Sequence, residues 1–350
     1  MRTFLKPAAG LACVIALACT GCSSEADPEP DSAPSAAGGT PSEQASDSAS
    51  ASASAQSAAT GYAPYVSATS ASDNDSAGSP STYNLAFVIS DGSSCTPKWN
   101  GSTAIGDAAT KSRIAALTES GSAVRVSFGG ASGKELASVC DSAAELAEAY
   151  GAALDAAGAT EADFDIEGKQ LTDSDSVALR SEAIALLQKE RTDLAVTFTL
   201  PVMPSGLDND SLALLESAND NAVQVSTVNI MTMNYGSTYD EDMGDYAETS
   251  AKAAHDQLED VFGLSEDGAW KGLALTSMIG VNDVDNETFS LSDAAQVRSF
   301  AEEKGVAWVS MWSTFRDQPC EGDDAASDDA ATNCSGVEQG AGDFAEAFTG

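Results

Sequence analysis

Short runs of β-branched and aromatic residues recur along the chain, separated by stretches of helical period. The runs are YAPYV (62–66), NLAFVIS (84–90), AVRVSF (123–128), ADFDIE (162–167), LAVTFTL (194–200), STVNIMTM (226–233), LALTSMIG (273–280) and VAWVSMW (306–312). Between them lie AATKSRIAALTESG, SAAELAEAYGAALDAAG, SVALRSEAIALLQKE, YAETSAKAAHDQLEDVFG and SDAAQVRSFAEEKG. Ala, Leu, Glu and Lys dominate these stretches, and apolar residues return every three or four positions, the spacing of one helix face. Strands that alternate with helices pair in parallel, and eight such units close into a single-domain α/β fold, the (β/α)8 barrel. The first unit departs from the pattern. SATSASDNDSAGSPSTY, between Val66 and Asn84, is long enough for a crossover but has no amphipathic face. The first crossover helix is therefore expected to be missing or degenerate, leaving one side of the barrel thinly covered.

The N-terminus follows another rule. Arg2 and Lys6 precede an apolar run over 11–18 and then CTGCSS, the arrangement of an export signal. The run is too short to span a bilayer, which takes ~20 apolar residues. It resembles a bacterial lipoprotein signal peptide (1–21), with cleavage after Gly21 and lipid on Cys22, although Cys19 stands where such signals usually carry Leu. Residues 22–60 are almost all Ser, Ala, Asp, Glu, Pro, Gly and Thr and cannot bury enough apolar surface to order themselves, so a disordered linker is expected. The barrel takes 61–350. Together these segments predict an extracellular protein, anchored to the membrane only through its N-terminal lipid or else secreted, and monomeric.

Charge narrows the partners. The chain carries a formal net charge of -38, and removing the signal with its two cations makes this -40. With no basic patch, nucleic acid is excluded as a partner class, while neutral or cationic polymers fit. Four cysteines lie beyond the leader: Cys95, Cys140, Cys320 and Cys334. An even number in an exported chain suggests two disulfides, with three possible connectivities. Pairing Cys320 with Cys334 would close a small C-terminal loop and leave Cys95 with Cys140. The chain has one histidine and no C-x-x-C, which argues against zinc.

The candidate chemistry sits in the fourth run, DFDIEG (163–168). Residues two apart on a strand share a face, so Asp163, Asp165 and Glu167 point one way and Phe164 and Ile166 the other. Phe164 and Ile166 suit the helix layer, which turns the carboxylates inward. Glu167 then falls at the C-terminal end of its strand, the end that carries active sites in these barrels. Three carboxylates cannot all ionise in a partly desolvated interior, so the cluster must hold a proton, and a carboxyl kept protonated near neutrality is a general acid. The spacing also imitates the start of a calcium loop. There the twelfth position would be Ser174 in place of the required Glu, and Phe164 and Ile166 suit a strand better.

At this point the chain resembles glycoside hydrolase family 18, the chitinases and related endo-β-N-acetylglucosaminidases, and within it a bacterial chitinase-like branch. DFDIEG is similar to the D-x-x-D-x-D-x-E motif, VRVSFGG (124–130) to S-x-G-G, NIMTMNYG (229–236) to the M-x-Y segment of the sixth strand, and WVSMW (308–312) supplies the Trp that typically closes the eighth. The resemblance covers roughly residues 61 to 348. It implies hydrolysis of β-1,4 bonds beside N-acetylglucosamine, with retention assisted by the substrate's own acetamido group, an exception to the two-carboxylate scheme. On that reading Glu167 is the acid, Asp165 holds the acetamido N–H, Asp163 shares its proton from beneath, and Tyr235 hydrogen-bonds the acetamido group. Trp312 floors the sugar, Trp99 offers a second stacking surface, and Met203 and Met278 line the cleft. Ser127, Gly129 and Gly130 shape the barrel beneath the site. No metal or cofactor is implied. Chitin, N-glycans and peptidoglycan-like polymers all remain open as substrate, as does a non-catalytic glycan-binding barrel. Two positions depart from the pattern: Thr160 stands at the motif's first Asp, and Gly236 where many members carry Asp after the Tyr.

Overall fold

A computed structural model describes residues 59–320 and 333–350. The expected leader, Cys22 and nearly all of the linker lie outside the described residues.

Eight parallel strands form the barrel. The first is split into Gly61–Tyr62 and Tyr65–Ser67, because Pro64 has no N–H to offer the ladder. The others are Thr82–Ser90, Ala123–Gly129, Glu161–Asp165, Ala195–Pro201, Val225–Met231, Leu273–Met278 and Trp308–Trp312. Each pairs with its sequence neighbours, and the two halves of the first strand close the circle. Gly61 and Tyr62 pair with Trp308 and Val309, while Tyr65–Ser67 pair with Asn84–Ala86. The Asn84 side chain donates to the Ala63 carbonyl at 2.7 Å and bridges the break.

Helices Ala108–Thr118, Ala143–Ala157, Ser174–Glu190, Asn209–Asp220, Met243–Phe262 and Leu291–Lys304 wrap the strands. The side chains of Asp107, Ser142, Asp173, Asp208, Asp242 and Ser290 accept hydrogen bonds from their first-turn amides. Part of the acidic excess therefore works as helix caps. Helix 209–220, with its polar ends, was not among the helical stretches read from the pattern.

The outer face of three neighbouring strands fixes the register of the acidic one. Phe128, Phe164 and Phe198 follow one another at ring distances of 5.3 and 5.7 Å, and Tyr150 of helix Ala143–Ala157 meets Phe128 edge-on at 4.7 Å. Each such pair adds about 0.5–1.5 kcal/mol beyond the area it buries. A one-residue slip would turn Phe164 inward and Asp163 and Asp165 out among the helices, so this aromatic row holds the carboxylates inside.

The first crossover has no helix, as its composition implies, and consists of turns. The side it leaves open is nevertheless covered, contrary to the expectation of thin cover. The C-terminal helix Asp343–Thr349 packs there, with Phe344 and Phe348 fully buried. The Phe348 ring lies against Tyr62 at 6.3 Å and Phe289 at 6.0 Å. Asp317 anchors this helix by accepting from the amides of Phe344 and Ala345. Asp75 of the crossover is tied by Arg113 at 2.9 Å and by the Thr314 hydroxyl at 2.7 Å. The disulfides are Cys95–Cys140, joining the loops after strands two and three, and Cys320–Cys334. No described helix is long and apolar enough to cross a membrane.

Candidate active site

A cleft of about 470 Å³ opens at the C-terminal ends of the strands. Asp165, the last residue of the fourth strand, and Glu167, two residues past its end, both line it. Asp163 lies one layer deeper and is fully buried. Its carboxylate accepts from the Ser127 hydroxyl at 2.6 Å, the Thr199 hydroxyl at 2.7 Å and the Tyr65 hydroxyl at 2.9 Å. The Asn229 amide donates to Thr199 at 2.9 Å, and the Thr276 hydroxyl donates to Asn229 at 2.9 Å, so a polar column crosses the barrel beneath the cleft.

Asp165 is placed differently. It is buried, and its Oδ1 has no hydrogen-bond partner among the described residues, although it borders the cleft. Burial pushes its carboxyl well above the usual range, and the charges of Glu167 and Asp163 push the same way. Burial also raises Glu167, with help from the charge of Asp283. Burial raises Asp163 too, but its hydrogen bonds from Ser127, Thr199 and Tyr65 oppose the rise. Hydrogen bonds to a carboxylate favour its ionised form, so of the two aspartates Asp165 is pushed further toward the protonated form.

The glycines of VRVSFGG have a steric reason. Gly129 has φ +100°, and a Cβ there would strike the Asp165 carbonyl; Gly130 has φ +92°, and its Cβ would strike the Phe87 ring. The Gly130 amide donates to that same Asp165 carbonyl at 2.9 Å. Strand three can approach strand four this closely only without a side chain at Gly129, and Gly130 leaves room for the Phe87 ring of strand two.

Aromatic rings form the floor. Trp312 lines the cleft and stacks on Phe87 at 5.5 Å, and Tyr65 meets Trp312 edge-on at 5.8 Å. Met278 also lines it. Three expected residues do not. Trp99 is fully buried in a hairpin strand, Pro97–Trp99, that packs into the core; its neighbour Asn100 reaches the cleft instead. Met203 sits in a tight turn bridged to Gly206, away from the lining. Tyr235 is turned into the helix layer, where its hydroxyl accepts from Ser250 at 3.4 Å and its ring packs on Tyr239 and Tyr246.

The reason for the Tyr235 placement is local. The sixth strand ends at Met231, and Asn234 takes a left-handed conformation, φ +56°, which breaks the alternation before Tyr235. The residues of this segment that line the cleft are Met231, Met233 and Asn234. Gly236, at φ +114°, gives its amide to the buried Glu287 at 2.7 Å and is a backbone requirement. His255 is 4% exposed and stacks on Trp270 at 4.1 Å.

The sequence reading missed Phe87, Asn234 and Asp283. Asp283 lies in GVNDVDN after the seventh strand, a run of Asn and Asp that reads as a plain turn.

No family model matches the chain. Among curated proteins it is 35% identical over 277 residues to a probable bifunctional chitinase/lysozyme of Escherichia coli, covering 74% of this chain and 31% of the relative. It is 34% identical over 278 residues to endochitinase 11 of Metarhizium anisopliae, covering 74% of this chain and 52% of the relative. The chain thus spans about half or less of the length of these relatives. Among solved structures it is similar to active domain 2 of the thermostable chitinase of Pyrococcus furiosus, whose catalytic-site mutants have been seen with chito-oligosaccharides. That match has a TM-score of 0.71 and 29% identity and covers 82% of this chain and 92% of the other. In sequence and in barrel architecture, the chain is similar to the chitinases.

Proposed function

We propose that the chain is a family 18 glycoside hydrolase that cleaves β-1,4 bonds beside N-acetylglucosamine, in chitin or chitooligosaccharides, by substrate-assisted retention. The observation that carries this reading is the Asp165–Glu167 pair at the mouth of the fourth strand. Glu167 is held toward its protonated form, and Asp165 presents an unpartnered buried oxygen to the cleft.

The reaction uses these groups in order. Glu167 gives its proton to the glycosidic oxygen as the bond from that oxygen to the anomeric carbon breaks. The substrate's acetamido carbonyl oxygen attacks the anomeric carbon and forms an oxazolinium ion. Asp165 accepts the acetamido N–H and balances the positive charge, and its proton passes toward Asp163 below. Water, deprotonated by Glu167, then opens the ring and restores the acid, leaving a β-hemiacetal. Trp312 stacks against the apolar face of the sugar at the cleavage point, with Phe87 continuing the platform. Asp163, locked by three donors, fixes Asp165 rather than touching substrate.

The test is hydrolysis of soluble chitooligosaccharides by the wild type and Glu167→Gln. Loss of cleavage with retained sugar binding in the variant supports the reading; cleavage by both at equal rates overturns it. Peptidoglycan is the second substrate to assay, because one relative is named a chitinase/lysozyme. The leader pattern supports export with a lipid on Cys22, and we take the barrel to act as a monomer. Release of the protein from membranes by Cys22→Ser would follow from that anchor.

A further inference from the structure

The Met231-Thr232-Met233-Asn234 segment leaves the cleft without the tyrosine hydroxyl and carboxylate that the resemblance leads one to expect after the sixth strand. What stands there instead is a coupled pair. The Asn234 Nδ2 donates to Asp283 Oδ2 at 3.2 Å, and the Asp283 amide donates to Asn234 Oδ1 at 3.0 Å. Both residues line the same cleft as Glu167. Each side of the pair is fixed from behind. Glu287, fully buried, accepts the Gly236 amide and so holds the loop that carries Asn234. Buried Arg316 donates to the carbonyls of Ile279 and Val281, and the Asn282 amide donates to the carbonyls of Met278 and Gly280, which sets the chain leading into Asp283. A left-handed Asn and two buried charged side chains are more than a surface turn needs.

We propose that Asp283 is a positioning residue of the reaction, acting through Glu167 from the loop after the seventh strand and itself held by Asn234. The inference rests on the glycosidase reading above. Among the described residues, the cleft lining contains three acids, Asp165, Glu167 and Asp283, together with Tyr65, and no Lys, Arg or His. The charged groups around Glu167 are therefore Asp165 on its own strand, with Asp163 beneath, and Asp283 across from it; Arg316 stands behind Asp283. An anion facing a carboxyl disfavours its ionisation, so Asp283 keeps the proton on Glu167 to higher pH. For Glu167 this charge acts in the same direction as burial, which is the larger cause. The residues that supply this function lie on two loops and lie 49 positions apart, Asn234 and Asp283.

The experiment is the pH dependence of kcat/KM on chitopentaose for the wild type, Asp283→Asn, Asp283→Glu and Asn234→Ala. The general acid must be protonated, so its ionisation sets the alkaline limb. Removing the Asp283 charge lowers the Glu167 pKa, and the limb should move to lower pH by about 0.5–1 unit, the effect of one partly screened charge. Asp283→Glu should restore the limb, and Asn234→Ala, which keeps the charge but frees it, should move it part of the way. A role confined to loop stability would lower rates at all pH values and leave the limb in place. An Asp283→Asn limb coincident with the wild type overturns the inference. A wild type with no activity on the sugar removes the glycosidase reading first, which separates the two failures.

Discussion

Asp163 and Asp165 are two residues apart on one strand, yet their surroundings differ. Three hydroxyl donors surround Asp163, whereas Asp165 keeps a buried oxygen free at the cleft. That contrast gives a stability prediction. A carboxyl whose pKa is raised on folding contributes most below its unfolded pKa, and that contribution is lost as pH rises through the folded value. Burial raises Asp165 well above the ordinary range. Asp165→Asn should therefore be inactive but more heat-resistant than the wild type at about pH 7, with the Tm difference disappearing near about pH 3. Thermal unfolding at both pH values checks this, and equal Tm at neutral pH would contradict it. At this scale, the sequence made the acidic strand legible because period-two alternation assigns faces without further information. It misassigned Tyr235, since one left-handed residue, Asn234, ends the alternation, and nothing in single-residue types announces that φ. Trp99 failed for a related reason: loop aromatics look alike in sequence whether they face a cleft or a core.

Among the elements, all eight strands were legible, since β-branched runs bounded by helical periods leave little ambiguity. The fourth ends at Asp165, short of the run's end at Glu167, so Glu167 sits on the first loop residues and not on the ladder. The first crossover was read correctly as lacking a helix. What could not be read was its replacement, because helix Asp343–Thr349 covers the gap from the far end of the chain. Such long-range packing depends on the closed barrel, which brings residue 348 beside residue 62. If this helix does the work of the missing one, Phe348→Ala should cost about 3–5 kcal/mol, the loss typical of a buried phenylalanine. Urea unfolding measures it. A loss below about 1 kcal/mol would mean that the barrel's first strand needs no cover there.

For the whole molecule, the dominant feature is its charge of -38. Many of the acids cap helices or face water, and few cations offset them. Self-repulsion of this size is long-ranged and screened by salt. Raising NaCl from about 10 mM to about 500 mM should therefore raise Tm, while kcat on a neutral chitooligosaccharide changes by less than about twofold. Calorimetry with parallel initial-rate assays tests both parts; a falling Tm would show that specific ion pairs, such as Arg113–Asp75, outweigh the general repulsion. Under the cleft, Asp163 is held by three hydroxyls, and the charge of buried Arg125 also favours its ionised form.

The most direct test of the account is the stereochemistry of the first product. Proton NMR should follow chitopentaose cleavage from its first minutes, before mutarotation, in the wild type and in Glu167→Gln. The account predicts that the wild type releases the β-anomer at the new reducing end and that Glu167→Gln releases none. Initial release of the α-anomer would contradict assistance by the acetamido group, and with it the roles given to Asp165 and Glu167.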